Sequence, residues 1–252
     1  MLPLRFEPIF KPLMWGGQGL RPFLGYSPTA EAIGEAWILS DREGDMSVVA
    51  EGPARGATLR ALLTRLPKQM LGTTQPQRFP LLLKFIDARL PLSVQVHPND
   101  ALAQELENQS AGKTEAWVIL EAERTAKIYA GLNGRPSLSA FREAIESGTV
   151  EALLATHKPQ VGDCFFLTAG TVHAIGAGVR LFEVQQSSDV TYRLYDWGRV
   201  DPKTGKGREL HIEKGLRCLN LESGSCSPLS PTSESRGRIR ATTLVECPYF
   251  SL

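Results

Sequence analysis

A chain of 252 residues with 42% hydrophobic residues can bury one large core or two small ones, and its 22% charged fraction excludes wholesale disorder. Twenty-eight Lys and Arg against 27 Asp and Glu leave a net charge of +1, so no general attraction to nucleic acid or to anionic membranes is expected. No apolar run reaches the roughly 18 residues of a membrane span, and the N-terminal stretch MLPLRFEPIFKPLMW has no basic leader ahead of an apolar block. The four cysteines, Cys164, Cys218, Cys226 and Cys247, form no C-x-x-C pair and read as reduced thiols of a cytoplasmic protein.

The first forty residues read as turns and short strands, with a tight bend at Gly16 and Gly17 and a strand over 33–40. Thr58 opens a helix with Leu59, Leu62, Leu63 and Leu66 at helical spacing. Residues 81–86 are apolar except for Lys84. Residues 92–97 alternate, with Leu92, Val94 and Val96 on one face and Ser93, Gln95 and His97 on the other. Pro98 ends that strand, and Asp100 is the predicted cap of a helix over ALAQELEN. GKTEAWVILEAERTAKIYAGL reads as two strands joined near 122–125. The pattern turns helical over about 137–157, with a break at Gly148, and the period of two then returns through Gly-rich turns. Residues 221–238 are rich in Ser and Pro and are predicted to be irregular. The plan is mainly β with a small helical insertion.

Only four histidines exist. His157 and His211 lie in charged or helix-end segments and read as exposed surface residues. His97 shares a strand face with Gln95, Glu115 lies on the next strand, and His173 sits in a Gly-rich turn. If the strands close into one small barrel, two imidazoles, one carboxylate and one amide oxygen converge, a set that suits Zn²⁺ and other divalent first-row metals. Ordinary packing in a polar interior accounts for Gln95 and His97 equally well on spacing alone.

GDCFFLTAGTVHAIGAG resembles the second cupin motif, G-x5-P-x-G-x2-H, with Thr168 in place of its proline. Together with KPLMWGG, PLSVQVHPND, GKTEAWVIL and AGTVHAIGAGVRLFEVQQSSDVTYRLYDW, the chain resembles the type I mannose-6-phosphate isomerases (phosphomannose isomerases), in their short bacterial form. The resemblance runs from about residue 10 to about residue 220. It implies a cupin-type β-barrel, a jelly roll, that holds one Zn²⁺ per chain and interconverts mannose 6-phosphate and fructose 6-phosphate through a cis-enediol. By that resemblance the zinc ligands fall on Gln95, His97, Glu115 and His173, an active-site arginine on Arg193, and active-site lysines on Lys84 and Lys113.

The chemistry then suggests further roles. Glu183, ten residues before Arg193, is the candidate base, with a carboxyl whose pKa burial raises toward neutrality. Arg193 stays charged and serves developing negative charge or phosphate, while Lys113 serves a substrate anion beside the metal. Lys84 interrupts an apolar strand, which favours a polar cavity for its ammonium. Ser93 is a candidate for phosphate and Trp15 for the sugar; for Trp117 a core role is favoured. A non-catalytic cupin that binds sugar phosphate or metal in a regulatory role is the alternative, and an Fe²⁺ oxygenase a third reading that has no use for the cations. The catalytic domain is expected to span 1–220. Because the family's short form continues beyond CPYF into a small β domain, 221–252 is expected to hold a linker and the start of a truncated second domain.

Overall fold

Alternating apolar and polar residues drive strand formation, and strands with one apolar face must pair across a core. The computed structural model describes residues 3–72, 78–200, 204–229, 232–236 and 239–252. Its strands are β1 (Ile9–Gly17), β2 (Ile33–Leu39), β3 (Asp41–Arg42), β4 (Asp45–Met46), β5 (Leu81–Ala88), β6 (Val94–Val96), β7 (Glu115–Ala122), β8 (Ile128–Leu132), β9 (Leu154–His157), β10 (Cys164–Leu167), β11 (His173–Ile175), β12 (Val179–Gln186), β13 (Tyr192–Tyr195), β14 (Thr232–Arg236) and β15 (Ile239–Thr243). The helices are α1 (Leu20–Phe23), α2 (Leu59–Arg65), α3 (Pro67–Leu71), α4 (Asp100–Glu107), α5 (Leu138–Glu146) and α6 (Ile212–Cys218), with a 3-10 turn at Val150–Leu153.

Two antiparallel sheets face each other. One has the order β1-β2-β5-β12-β7-β10, the other β13-β6-β11-β8-β9. Between them lie Ile86, Ala88, Trp117, Ile119, Phe165 and Leu181 from the first sheet and Ile128, Ala130 and Ile175 from the second. The outer face of the five-stranded sheet is covered by the helical layer: Phe141, Ile145 and Leu216 pack over Val94, Val96, Ala174, Tyr192 and Leu194. This is the two-sheet jelly roll of the cupin fold, mainly β; its helical insertion ends at Leu153, earlier than the expected 157, because Leu154–His157 pairs with β8 as β9.

Several local expectations hold. Thr58 caps α2 by accepting the Ala61 amide at 3.1 Å, and Gly148 separates α5 from the 3-10 turn. All four cysteines are free. Among the described residues no helix is long and apolar enough to cross a membrane.

Others are corrected. The chain does not bend at Gly16; β1 continues to Gly17 across register shifts against β2. A Cβ on Gly16 would lie 2.3 Å from the Gly34 amide nitrogen, so that glycine admits close strand approach, not a turn. Asn99, not Asp100, caps α4, accepting the Leu102 amide at 2.9 Å. Leu92 precedes β6 and packs into the inter-sheet core, away from Val94 and Val96, because regular alternation begins only at Val94. Residues 221–229 contain no helix and touch the body through bridges at Ser225 and Leu229. Residues 232–236, however, form β14, paired with β15; backbone pairing supplies the order that the polar sequence did not announce. Residues 230, 231, 237 and 238 lie outside the described residues. The C-terminal stretch folds back on itself, Leu244 N donating to the Leu252 carbonyl at 2.7 Å, and buries Val245 and Phe250 against Ala116, Cys164 and Val184 on the outer face of the six-stranded sheet.

Candidate metal centre and its pocket

Sheet register lines up the polar side chains. Across the five-stranded sheet, Arg193 of β13 pairs with Gln95 of β6, and Gln95 pairs with His173 of β11. Across the six-stranded sheet, Trp37, Lys84, Glu183, Trp117 and Phe165 form a second row from β2 to β10. The two rows face each other across a cleft whose lining includes Trp15, Lys84, Ser93, Gln95, Lys113, Glu183, Arg193 and Arg208.

Behind Gln95 and Lys113, one ligand atom each from His97, Glu115 and His173 gathers within 4.8 Å, and all three residues are buried. His97 Nδ1 bonds the Val190 carbonyl at 2.9 Å, and His173 Nδ1 bonds the Thr171 carbonyl at 2.9 Å. Both contacts make Nδ1 the donor and leave each Nε2 lone pair facing inward. Burial and the nearby Lys113 charge hold both imidazoles neutral, His97 well below its usual value and His173 at about 3. His173 Nε2 therefore faces Glu115 Oε1, 3.3 Å away, acceptor to acceptor, and Glu115 Oε1 is buried without a hydrogen-bond partner. Acceptors that converge on each other out of water call for a cation. The Lys113 ammonium meets only part of that demand, touching Glu115 Oε2 and lying 3.1 Å from His97 Nε2. The Gln95 amide is 3.2 Å from His173 Nε2 and turns its oxygen to the same point by a simple flip. Two imidazoles, a carboxylate and an amide oxygen fit a divalent metal.

The neighbouring motifs hold this cluster together. Gly112 lies against the Pro98–Asn99 backbone, where a Cβ would come within 2.5 Å of the Pro98 carbonyl oxygen. Lys113 N donates to that carbonyl at 3.0 Å. Asp100 accepts the Gly112 amide at 2.8 Å and Gln186 Nε2 at 3.0 Å, and Gln186 Oε1 accepts the Thr114 amide at 2.9 Å. HPND and GKTE are thus two halves of one clamp that aims Lys113 and Glu115. The turn before His173 closes without proline: Thr171 N donates to the Thr168 carbonyl at 3.0 Å, and Gly170 takes φ of +90°.

Residues 4–144 match the family model for the catalytic domain of type I phosphomannose isomerase. The chain belongs to this family. It is 41% identical over 252 residues to mannose-6-phosphate isomerase ManA of Bacillus subtilis (strain 168), covering 99% of this chain and 78% of that protein. A crystal structure of mannose 6-phosphate isomerase from Bacillus subtilis matches with a TM-score of 0.90 and 38% identity, over 99% of this chain and 78% of that one. A zinc-bound mannose 6-phosphate isomerase at 16% identity shares the fold, with a TM-score of 0.74 over 97% of this chain and 80% of that one.

The ten candidate site residues from the sequence all line the cleft or lie just behind it. Two details differ from expectation. Glu183 does not drift toward neutrality. Burial pushes its carboxyl up, but Lys113 and Lys84 more than offset this and hold it at about 2. Its Oε1 lies 3.2 Å from Lys84 Nζ and 3.4 Å from Lys113 Nζ, and Oε2 accepts Trp117 Nε1 at 3.0 Å. It is Glu115 that rises, to about 7, through burial and the Glu183 charge. Trp117, fully buried, is both core and support for the site. His157 and His211 are half-buried, not exposed, because the ends of β9 and the start of α6 pack on the body; His211 Nδ1 accepts the Arg193 amide at 3.2 Å.

Sequence reasoning missed Glu35 and Trp37. Glu35 Oε1 is 3.4 Å from Lys84 Nζ, and Glu35 Oε2 accepts Trp37 Nε1 at 2.7 Å. An acid within the apolar strand IGEAWIL was the available signal.

Proposed function

We propose that this chain is a zinc-dependent aldose–ketose isomerase that interconverts mannose 6-phosphate and fructose 6-phosphate. The observation that carries the reading is the set of facing buried acceptors, His97, Glu115 and His173, at the end of a cleft walled by Lys84, Lys113 and Arg193. Gln95, His97, Glu115 and His173 would hold the zinc, which when bound supplies a Lewis acid for the O1/O2 edge of the open-chain sugar.

The chain's own groups then have separate work. Glu183, ionised and fixed by three donors, accepts the proton that moves between C2 and C1. The lysines that keep its pKa low are also the groups an anionic substrate recruits, and that recruitment frees the carboxylate to act as a base. Arg193 keeps its proton and stabilises negative charge that develops on the enediolate oxygens. Lys113 and Lys84 neutralise substrate charge from the wall of the cleft, Ser93 hydrogen-bonds phosphate, and Trp15 packs against the sugar. Residues 1–220 serve as the catalytic domain, and 221–252 as a linker whose end packs Val245 and Phe250 against the six-stranded sheet. Four free thiols agree with a cytoplasmic enzyme.

The test is turnover of mannose 6-phosphate by the purified protein, with metal analysis on the same sample. Conversion to fructose 6-phosphate that is lost on chelation and restored by Zn²⁺ supports the reading. Sugar-phosphate binding without conversion in zinc-loaded protein refutes it in favour of a binding protein.

A further inference from the structure

Cations at the outer end of the cleft exceed those the reaction has so far employed. β13 is an edge strand, and the segment 204–211 returns alongside it: His211 N donates to the Arg193 carbonyl at 2.7 Å. That return brings Arg208 into the cleft lining beside Arg193. Asp196, 5% exposed, accepts Arg208 Nε at 2.8 Å, Arg208 Nη2 at 2.5 Å and Arg199 Nη2 at 2.5 Å. Arg199 is fixed a second time, its Nη1 donating to the Pro91 carbonyl at 2.6 Å. Arg193 gives Nη1 to the Glu209 carbonyl at 2.8 Å, and its Nε is buried with no hydrogen-bond partner. The other acid on this part of the wall, Asp189, pairs with Arg42 at 2.6 Å. Arg208 and Arg199 therefore share one buried carboxylate, while Arg193, beside Arg208 in the cleft lining, bonds only a backbone carbonyl, an arrangement that favours an incoming anion.

The placement also sorts the two ends of a chain-shaped ligand. The metal donors lie on β6, β7 and β11 or beside them, and Arg193 is two strands from His173. Arg208 approaches from the far side of β13, beyond Arg193. The antiparallel register that sets Tyr195 against Val94 brings Ser93 to the same end as Asp196.

We propose that Arg208, aimed by Asp196, is the guanidinium that grips the phosphate of the hexose phosphate, with Ser93 beside it and Arg193 left to the reacting carbons. This rests on the isomerase reading. A planar guanidinium offers two parallel donors to a phosphate, and Asp196 holds the Arg208 fork in one orientation before the ligand arrives. Asp196 is a positioning residue; it has no donor of its own for the anion.

The experiment compares Arg208→Ala, Arg208→Lys and Asp196→Asn with wild type in steady-state kinetics on mannose 6-phosphate, in binding of inorganic phosphate by calorimetry, and in melting curves. Because the phosphate contact is the same in ground and transition states, Arg208→Ala should raise KM roughly 10- to 100-fold with kcat within a few-fold of wild type. Phosphate affinity should fall in parallel, and Arg208→Lys should recover part of both. Asp196→Asn should shift KM in the same direction by a smaller factor. Wild-type turnover with unchanged KM and phosphate affinity in Arg208→Ala would overturn the assignment, as would a lower melting temperature with normal KM, the pattern of a mere counter-ion to Asp196. If wild type failed to turn over mannose 6-phosphate, the isomerase reading would fall on its own. Phosphate calorimetry on wild type and Arg208→Ala would still decide whether Arg208 binds the anion.

Discussion

Replacing Glu183 with Gln removes one charge from a buried cluster while keeping shape and an acceptor for Trp117. Glu183 is 2% exposed and lies within 3.4 Å of both Lys84 Nζ and Lys113 Nζ. Breaking a buried ion pair costs about 3–5 kcal/mol when the surviving charge is left uncompensated. Here neither lysine is abandoned: Lys84 keeps Glu35 at 3.4 Å, and Lys113 keeps Glu115. The expected loss is therefore smaller, about 2–3 kcal/mol, or about 4–12 °C in melting temperature for a chain of this size. The pH dependence has a defined sign. A carboxyl held at about 2 when folded, against about 4.3 when unfolded, contributes stability that is complete above the unfolded value and disappears as pH falls through the folded one. The Glu183 contribution to the gap between wild type and Glu183→Gln should close between about pH 4.3 and pH 2, and the gap should be flat only above about pH 7, because Glu115, which the Glu183 charge helps hold at about 7, titrates in between. As the base, Glu183 should also be worth roughly 10²–10⁴ in kcat. Melting curves across pH and steady-state rates measure both. A variant with wild-type melting at pH 7 would refute the charge argument, and wild-type kcat would refute the base.

Zn²⁺ at a hundred times its dissociation constant should stabilise metal-free protein by about 2.7 kcal/mol, roughly 5–10 °C, and His97→Ala should abolish most of that gain; an equal rise in the variant would place zinc elsewhere. Arg193→Ala should keep fold and metal but lower kcat by roughly 10²–10³ with a smaller change in KM; a stable, metal-loaded variant with near-normal kcat would remove the catalytic role.

Local pattern made part of this site legible. A period of two puts Gln95 and His97 on one face, and the Gly-rich turn around Gly170 points to His173 as its strand partner. Glu115 followed from its place on the next strand, and the resemblance of GKTE to a family motif supplied Lys113. What stayed hidden depends on pairings between distant segments. Lys84 meets Glu183 only because β5 and β12 pair in one particular register, and Glu35 joins them only through β2 on the other side of β5. No local pattern encodes that register, so the mutual charge compensation, and with it the direction of the Glu183 shift, could not be read from residue types. Asp100 shows the same limit at shorter range. Its position before ALAQELEN suggested a cap, yet Asn99 takes that role and leaves Asp100 free to clamp Gly112 and Gln186.

Charge explains why these pairings matter for function. Glu35, Glu115 and Glu183 face Lys84 and Lys113 inside one buried cluster, three potential anions against two cations. Without a further cation, the cluster meets its deficit through Glu115, whose carboxyl rises to about 7, the same group whose Oε1 lacks a partner and faces a neutral imidazole. A dication held there would serve the carboxylate and both Nε2 lone pairs together and favour the ionised form of Glu115. It would also relieve Lys113 of its contact with Glu115 Oε2, leaving that ammonium available to an anionic substrate. The metal centre and the substrate-binding cations are therefore coupled through Lys113. A ligand substitution at Glu115 should alter substrate affinity as well as metal affinity, and Lys113 is the residue through which the two effects meet.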